Sequence, residues 1–445
     1  MTIDSSAIAY QLKRVYGNRI TELFSRQTMT YNMFAKSSRK AEYRPGGSGY
    51  FFSARTGDLE GIGGRAENAL LPEPLAGAGL QGTITPKLIY GVLRLSGLAI
   101  EVGQSSTEAF ANVQGDAIAN IYKSMIVDLN RQIWGDGTGL LATLSAASDA
   151  LDTTDTWTIT CNNDRGVRFL RKGMIVDFYQ STAIDQSSVA SRVASVDPIA
   201  KTAEMEAVAA TGSGGSAYQA YHPIVAARTY TITTATVASG SYVVRYGARA
   251  ATHVSTTTYE MMGLNGLYDD GTLLGTFEGV SLTTYPEFKA NIIDAGGVNR
   301  ELSIDLMLQA MDMTATRSDE TVSMIRMGLG QRRKYFGLLK DDVRYAPGDF
   351  LGGYERLRFA QNAQVSMIID PYNQPNRMFF EPEGCIKKYE LTPIGWGGFD
   401  PNKMHWREGY DQATMFLRLY TNMGVEKRQA LTLLDDLTEP TGQPF

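Results

Sequence analysis

The stretch from Ser105 to Gly139, SSTEAFANVQGDAIANIYKSMIVDLNRQIWGDGTG, constrains the fold more than any other part of the chain. Ser105 and Glu108 have capping-box spacing, and Ile118, Ile121, Tyr122, Met125, Leu129 and Ile133 recur at three- and four-residue steps. The pattern predicts one amphipathic helix from Ser105 to Trp134 that ends in a glycine turn. At about 1.5 Å per residue it would be roughly 45 Å long, more than an ordinary globular core accommodates. Such a rod fits a subunit flattened into a plate.

The chain has 445 residues, 43% of them hydrophobic, enough for more than one domain or one elaborated domain. Its 42 basic and 47 acidic residues leave a formal charge of -5, so there is no global electrostatic case for a sequence-reading nucleic-acid binder. Charged residues make up only 20% of the chain, which points to outer surface covered by partners. Cys161 and Cys385 stand far apart and outside any paired motif, arguing against a disulfide framework or a thiolate zinc site. MTIDSSAIAYQLKRVYG lacks the apolar run of a signal peptide, and no stretch approaches the roughly 20 apolar residues of a membrane span. Cytoplasmic synthesis and no membrane partner are expected.

Ile8, Leu12, Val15, Tyr16, Ile20 and Leu23 predict a short helix, which docks either on its own core or on a neighbour, followed by an irregular arm through Lys40. From Arg44 to Gly82 the sequence is dominated by Gly, Pro and Ala, a long excursion of a kind that is usually functional or disordered. Tyr50–Phe52 before it and Thr83–Gly97 after it read as the two legs of an extended hairpin with a projecting tip. TWTITC, MIVDFYQ, SRVASVD, TYTITTATVA and SYVVRYG then predict a sheet over residues 154–258, with an insertion around Gly212–Gly215. After the irregular YEMMGLNGLYDDGTLLGTFEGV, helical spacing resumes at Leu302, Leu306, Gln309, Ala310 and Met313. TVSMIRM, GQRRKYFGLL, QVSMIID and NRMFFE alternate strand and helix as in a compact nested domain. TMFLRLYTNMG, with a turn expected at Asn422–Gly424, and KRQALTLLDDL are expected to close the sheet begun after Thr154.

Motifs for chemistry are weak. His222, His253 and His405 lack a second histidine at ligand spacing, and the doublets Asp269–Asp270, Asp341–Asp342 and Asp435–Asp436 read as solvated turn residues. GDGTG follows a helix and lacks the Lys-Ser/Thr of a phosphate loop, while GLGQRRK has the wrong spacing for a dinucleotide fingerprint. No serine sits in a GxSxG elbow. The densest basic cluster is Arg326, Arg332, Arg333, Lys334, Lys340 and Arg344, read as a solvated helix face, as intersubunit salt bridges or as phosphate contacts. Arg55, Asp58, Glu60, Arg65 and Glu67 alternate in sign along the expected hairpin tip and could pair across a subunit boundary.

Taken in order, these parts resemble the major capsid proteins of tailed bacteriophages, which have the Hong Kong 97-type fold. The resemblance spans nearly the whole chain and lies in the arm, the long loop, the helix ending in QIWGDGTG, GMIVDFYQ with SRVASVD, YEMMGLNGLYDDGT, the nested domain and the closing YTNMGVEKRQALTLLDDL. It implies an α+β chain with an N-terminal arm (1–45), an extended loop (46–96), a peripheral domain with spine helix and β insertion (97–300), an axial domain (301–390) and closing peripheral strands (391–445). It also implies a non-enzymatic subunit that forms hexamers and pentamers of an icosahedral shell around double-stranded DNA. The loop around Asp58–Glu73 would lie over the adjacent subunit, and the axial domain would converge at capsomer centres.

Relatives also suggest partners: a portal, a decoration protein and, because the arm begins at once here, a separate scaffolding protein. Some relatives crosslink a loop lysine to a neighbour's asparagine; Lys87, the only lysine between Gly46 and Gly97, sits at the hairpin base, so a non-covalent shell is expected. DNA contact is expected to be non-specific, and no metal or cofactor is implied. Two other classes compete: a carbohydrate-active enzyme using acids such as Glu260 and Asp269, and a different phage structural protein from a tail or decoration module.

Overall fold

The computed structural model describes residues 30–439, apart from 45–46, 58–60, 71, 74–76, 99–112, 149–155, 163–166, 181–182, 185–190, 208–236, 249–257, 340–357, 362, 397–404 and 407–408. The helix predicted over Ile8–Leu23, the first turns of the long helix, and the stretch around Gly212–Gly215 lie outside the described residues.

Within them the long helix runs Val113–Ile133. Its packed stripe is the four-residue series Ile121, Met125, Leu129 and Ile133, with Ile133 fully buried. Tyr122, expected on that stripe, is 42% exposed instead, because one helical step carries it about 100° round from Ile121. Across Ile121, Met125 and Leu129 lies a long β-ribbon: Lys87–Ser96 and Ile386–Trp396, each antiparallel to the central strand Gln412–Val425. Gly91 allows close approach, since a Cβ there would meet Ile121 at 3.4 Å. The segment Ala35–Lys36 of the arm adds a short parallel pair beside Lys387–Lys388.

The strands after the helix close on themselves. Leu140–Thr143, Tyr242–Arg245, Ile175–Gln180, Ser191–Asp197, Thr202–Ala207 and Thr156–Thr160 pair in that order. A bridge between Leu144 and Cys161, flanked by Ser145 N to Thr160 O (2.9 Å) and Asn162 N to Thr143 O (2.7 Å), joins the two ends into a six-stranded barrel. Alternation fills its interior with Leu141, Ile159, Val176, Phe178, Val193, Met205 and Val243, all buried. Ala183–Ile184 adds a short seventh strand beside Ile175–Gln180, and neither C-terminal segment pairs with this sheet, contrary to expectation. Gln412–Val425 belongs to the ribbon, with Asn422–Gly424 inside the strand rather than in a turn.

The second C-terminal segment, Thr432–Leu434, enters a mixed six-stranded sheet. The order is Asn291–Ile293, Thr432–Leu434, Met378–Glu381, Met324–Met327, Ala363–Ile369 and Arg358–Gln361. The helix Ile304–Ser318 covers it: the Ser303 hydroxyl caps the start by accepting from Leu306 N, and Asp319 ends it in the left-handed conformation. Met307, Ala310, Met311 and Thr314 face the sheet. A second helix, Leu329–Leu339, buries Gln331 and Tyr335, and Gln331 donates to the carbonyls of Pro375 and Thr438.

The extended hairpin has different legs from those expected. Gly47–Arg55 pairs with Gly79–Ile84, whereas Lys87–Ser96 turns away into the ribbon. The rings at the base settle the register: Phe52 lies over Gly82, where a Cβ would be 2.2 Å from the ring, and stacks on Phe288 with centroids 6.0 Å apart.

Candidate intersubunit surfaces and the joint that positions them

Three glycine- and asparagine-rich sequences, QIWGDGTG, YEMMGLNGLYDDG and YTNMGVEKRQ, converge at one buried joint. Asn265 donates to Trp134 O at the helix end (2.5 Å) and accepts from Arg377. Asn422 accepts from Met262 N (2.9 Å) and donates to Thr85 O (2.8 Å), linking the central ribbon strand to the root of the hairpin. Gly263 packs against the helix end so closely that a Cβ would lie 2.2 Å from Gln132 O. Arg428, fully buried, donates to the carbonyls of Gly266 and Leu267, lies 3.9 Å from the Phe277 ring centroid and faces Asp269 at 4.0 Å. Helix, hairpin, ribbon and six-stranded sheet therefore share one set of hydrogen bonds.

Several charged residues read as solvent-facing are structural here. Asp269 is 6% exposed and accepts from Gly271 N, Leu273 N and Leu274 N, so it organises the turn rather than decorating it. Asp435 pairs with Arg377, and Asp436 adopts a φ of +56° and accepts from Ala295 N and Gly297 N. Arg326 is 1% exposed on a central strand and donates twice to Glu381, with the Phe34 ring 4.5 Å from its guanidinium carbon. Asp341–Asp342, Lys340 and Arg344 lie outside the described residues.

The two acids named for a hydrolase are also committed. Glu260 takes both terminal nitrogens of Arg131 (2.5 and 3.0 Å). Arg131 and Arg245 both reach Asp128 Oδ1, and these cations hold the Asp128 carboxyl well below its usual range against the opposing effect of burial. Glu260 and Asp269 are thus not an exposed carboxyl pair across a groove. Among the described residues no group of three His, Cys, Asp or Glu could hold a metal ion, and no helix is long and apolar enough to cross a membrane.

Of the intersubunit candidates, Arg55 closes the outgoing hairpin strand, and Arg65 and Glu67 lie on the loop beyond it, all exposed. Arg65 bends back onto its own loop, donating to Gly64 O (3.1 Å) and Leu70 O (3.2 Å). Asp58 and Glu60 lie outside the described residues. Arg332, Arg333 and Lys334 share one helix: Arg332 is half-buried, Arg333 is exposed, and Lys334 pairs with Glu301. Lys87, which starts a ribbon strand, donates to Thr258 O (2.6 Å), and burial lowers its pKa.

Sequence reading missed the apolar surfaces. Ile62 and Leu70 on the loop are 93% and 82% exposed. On the ribbon face turned away from the helix, Leu88, Tyr90 and Val92 are each more than half exposed. Register sets Tyr420, Arg418 and Phe416 opposite them, and the Tyr90 and Tyr420 hydroxyls meet at 3.2 Å. The period-two alternation of LIYGVLRL carried the signal, but both faces are apolar, so sequence alone could not say which one the helix would cover.

Comparison with solved structures identifies the class of fold. A cyanophage A-1(L) capsid subunit matches over 98% of this chain and 99% of its own, with a TM-score of 0.54 at 11% identity. A subunit from the capsid of a native GTA particle covers 98% of this chain and 100% of its own (TM-score 0.48, 9% identity), and one from Mycobacterium phage Ogopogo covers 98% and 99% (0.40, 9%). No family model and no curated protein matches the sequence. The chain has the α+β, Hong Kong 97-type fold of phage capsid subunits.

Proposed function

We propose that this chain is the structural, non-catalytic subunit of an icosahedral shell that encloses the double-stranded DNA genome of a tailed phage. The observation that supports the proposal is the match to the cyanophage capsid subunit over 98% of this chain and 99% of its own. Hexamers and pentamers of the chain would form the shell, assembled in the host cytoplasm and ending in the virion. The divisions at 45, 96, 300 and 390 serve as working domain limits, with Asn291–Ile293 and Thr432–Leu434 assigned to the axial part because they pair there.

The self-contacts follow from surface chemistry. Exposed Ile62 and Leu70 on the loop, and the Leu88–Tyr90–Val92 face of the ribbon, are apolar surfaces that a second copy would cover. At roughly 25 cal/mol per Å² such contacts are weak singly and strong when repeated around a closed ring. Arg55, Arg65, Glu67 and, in the same loop, Asp58 and Glu60 would set register at the rim, with Arg332 and Arg333 doing so near capsomer centres. A portal, a separate scaffolding protein and a decoration protein belong to the same reading. DNA would be contacted weakly and without sequence preference, and a steep salt dependence of binding by the isolated subunit would contradict this.

Sedimentation velocity of the full-length chain, with and without a co-expressed scaffolding partner, tests the proposal. Assemblies of many copies are expected, and replacing residues 58–77 by a two-glycine turn should leave a folded subunit that no longer forms them. A full-length chain that stays monomeric under both conditions would refute the shell role, and normal assemblies from the loop deletion would refute the loop contact.

A further inference from the structure

At the root of the extended hairpin one acidic side chain breaks several local rules at once. Thr276–Phe277 and Val280–Ser281 form a tight hairpin whose two-residue turn is Glu278–Gly279, with φ of +50° and +81°. Such turns favour Asn, Asp or Gly at the first position; a glutamate there is strained. Its carboxylate is directed inward. Oε1 accepts from Val425 N at the end of the central ribbon strand (3.1 Å), and Oε2 is buried with no hydrogen-bond partner. The backbone carbonyl of Glu278 accepts from Thr83 N in the returning hairpin leg (2.7 Å). Gly424 makes room: a Cβ there would lie 2.7 Å from Oε1 and 2.5 Å from Ile84 Cδ1.

Charges around the carboxyl do not neutralise it directly. Arg428 is the nearest cation, but it donates to Gly266 O and Leu267 O, faces Asp269, with Asp270 also near, and lies against the Phe277 ring. Glu426, just beyond the ribbon strand, adds a like charge and is held by Arg39 and the Tyr389 hydroxyl, and Tyr389, kept protonated by burial, also feels the Glu278 charge. Thr83 and Ile84 on the hairpin leg carry no charge.

We infer that Glu278 is a proton-held clamp: only the neutral acid sits without cost in the buried space between the hairpin root and the ribbon end, and ionisation, which leaves an uncompensated charge there, lets the two separate. The direction follows from the geometry: among the described residues Oε2 is buried with no donor on it and no cation bonds the carboxyl, so the charged form is the uncompensated one, and burial pushes the carboxyl well above the usual range. A raised folded-state pKa means that the clamp holds at and below the ordinary glutamate range and is lost as pH rises through the folded value. The clamp therefore opens on the alkaline side. Its bearing on assembly rests on reading the hairpin as the contact between copies, but its operation is a property of the single chain.

Hydrogen–deuterium exchange of the full-length protein between pH 6 and 10, corrected for intrinsic exchange rates, tests the clamp. Peptides over residues 79–86 and 421–428 are compared with the barrel peptide 191–207 as reference. In the wild type, protection at Thr83 and Val425 is expected to fall by up to tenfold per pH unit between the ordinary glutamate range and the carboxyl's raised pKa and to level off above it, while the barrel does not follow. Glu278→Gln, neutral at every pH, is expected to remove that slope. A wild-type profile without the local slope would overturn the inference whether or not Glu278→Gln folds, and so would the same slope in that variant. Failure to form shells would refute the assembly proposal and leave the clamp intact.

Discussion

Arg326 illustrates what a residue's surroundings decide and its neighbours in sequence do not. It lies in TVSMIRM near five other basic residues, yet it occupies a strand flanked on both sides by other strands. Such strands are buried on both faces, so alternation carries no information about which side chains are inside. Once buried, the guanidinium needs Glu381, and the pair holds only while both are present. Arg326→Ala should cost about 3–5 kcal/mol in urea unfolding, because it strands a buried carboxylate, whereas Arg326→Met with Glu381→Leu should recover most of the loss. An alanine variant as stable as wild type would show that the pair is unimportant. Cys161 and Cys385 make a second residue-scale case: burial pushes both thiols up to about 12. Few thiolates then exist at pH 8, so both cysteines should react with a thiol reagent far more slowly than a free cysteine until the chain is denatured, and fast labelling of the native protein would contradict the burial.

At the scale of elements, the long helix, most strands and the turn at Gly135–Gly139 were legible because each leaves a local periodic or glycine signal. Pairing was not. Lys87–Ser96 and Gln412–Val425 find each other across most of the chain, and an apolar strand reads the same whether it joins a barrel or a ribbon. The buried joint was half legible: its three motifs stand out as strings, but their convergence depends on hydrogen bonds from Asn265, Asn422 and Arg428 to distant backbone. The helix itself is fixed to the barrel and to the segment before the joint by Asp128, Arg131, Arg245 and Glu260. Because its cations depress the Asp128 pKa, its contribution is present above the ordinary aspartate range and disappears as pH falls through the folded value. Asp128→Asn should therefore be less stable than wild type at pH 7, and the gap should narrow below about pH 4. A gap that persists unchanged into acid would contradict the ion-pair account.

For the whole molecule, the parts that project or lie open are the loop with Ile62 and Leu70, the outer ribbon face, and the exposed side of the helix carrying Arg332 and Arg333. Apolar surface left open beside a hydrogen-bonded centre is what the proposed self-association would cover. The candidate charges were legible as sequence patterns, but Arg65 and Lys334 make intrachain contacts that the patterns did not reveal, and the proposed association therefore leans on apolar surface that composition could only hint at. Electron microscopy of the purified full-length protein, alone and with a co-expressed scaffolding partner, tests this most directly. Closed angular shells or regular rings of five and six copies are the predicted result, and a uniform field of single subunits under both conditions would contradict it.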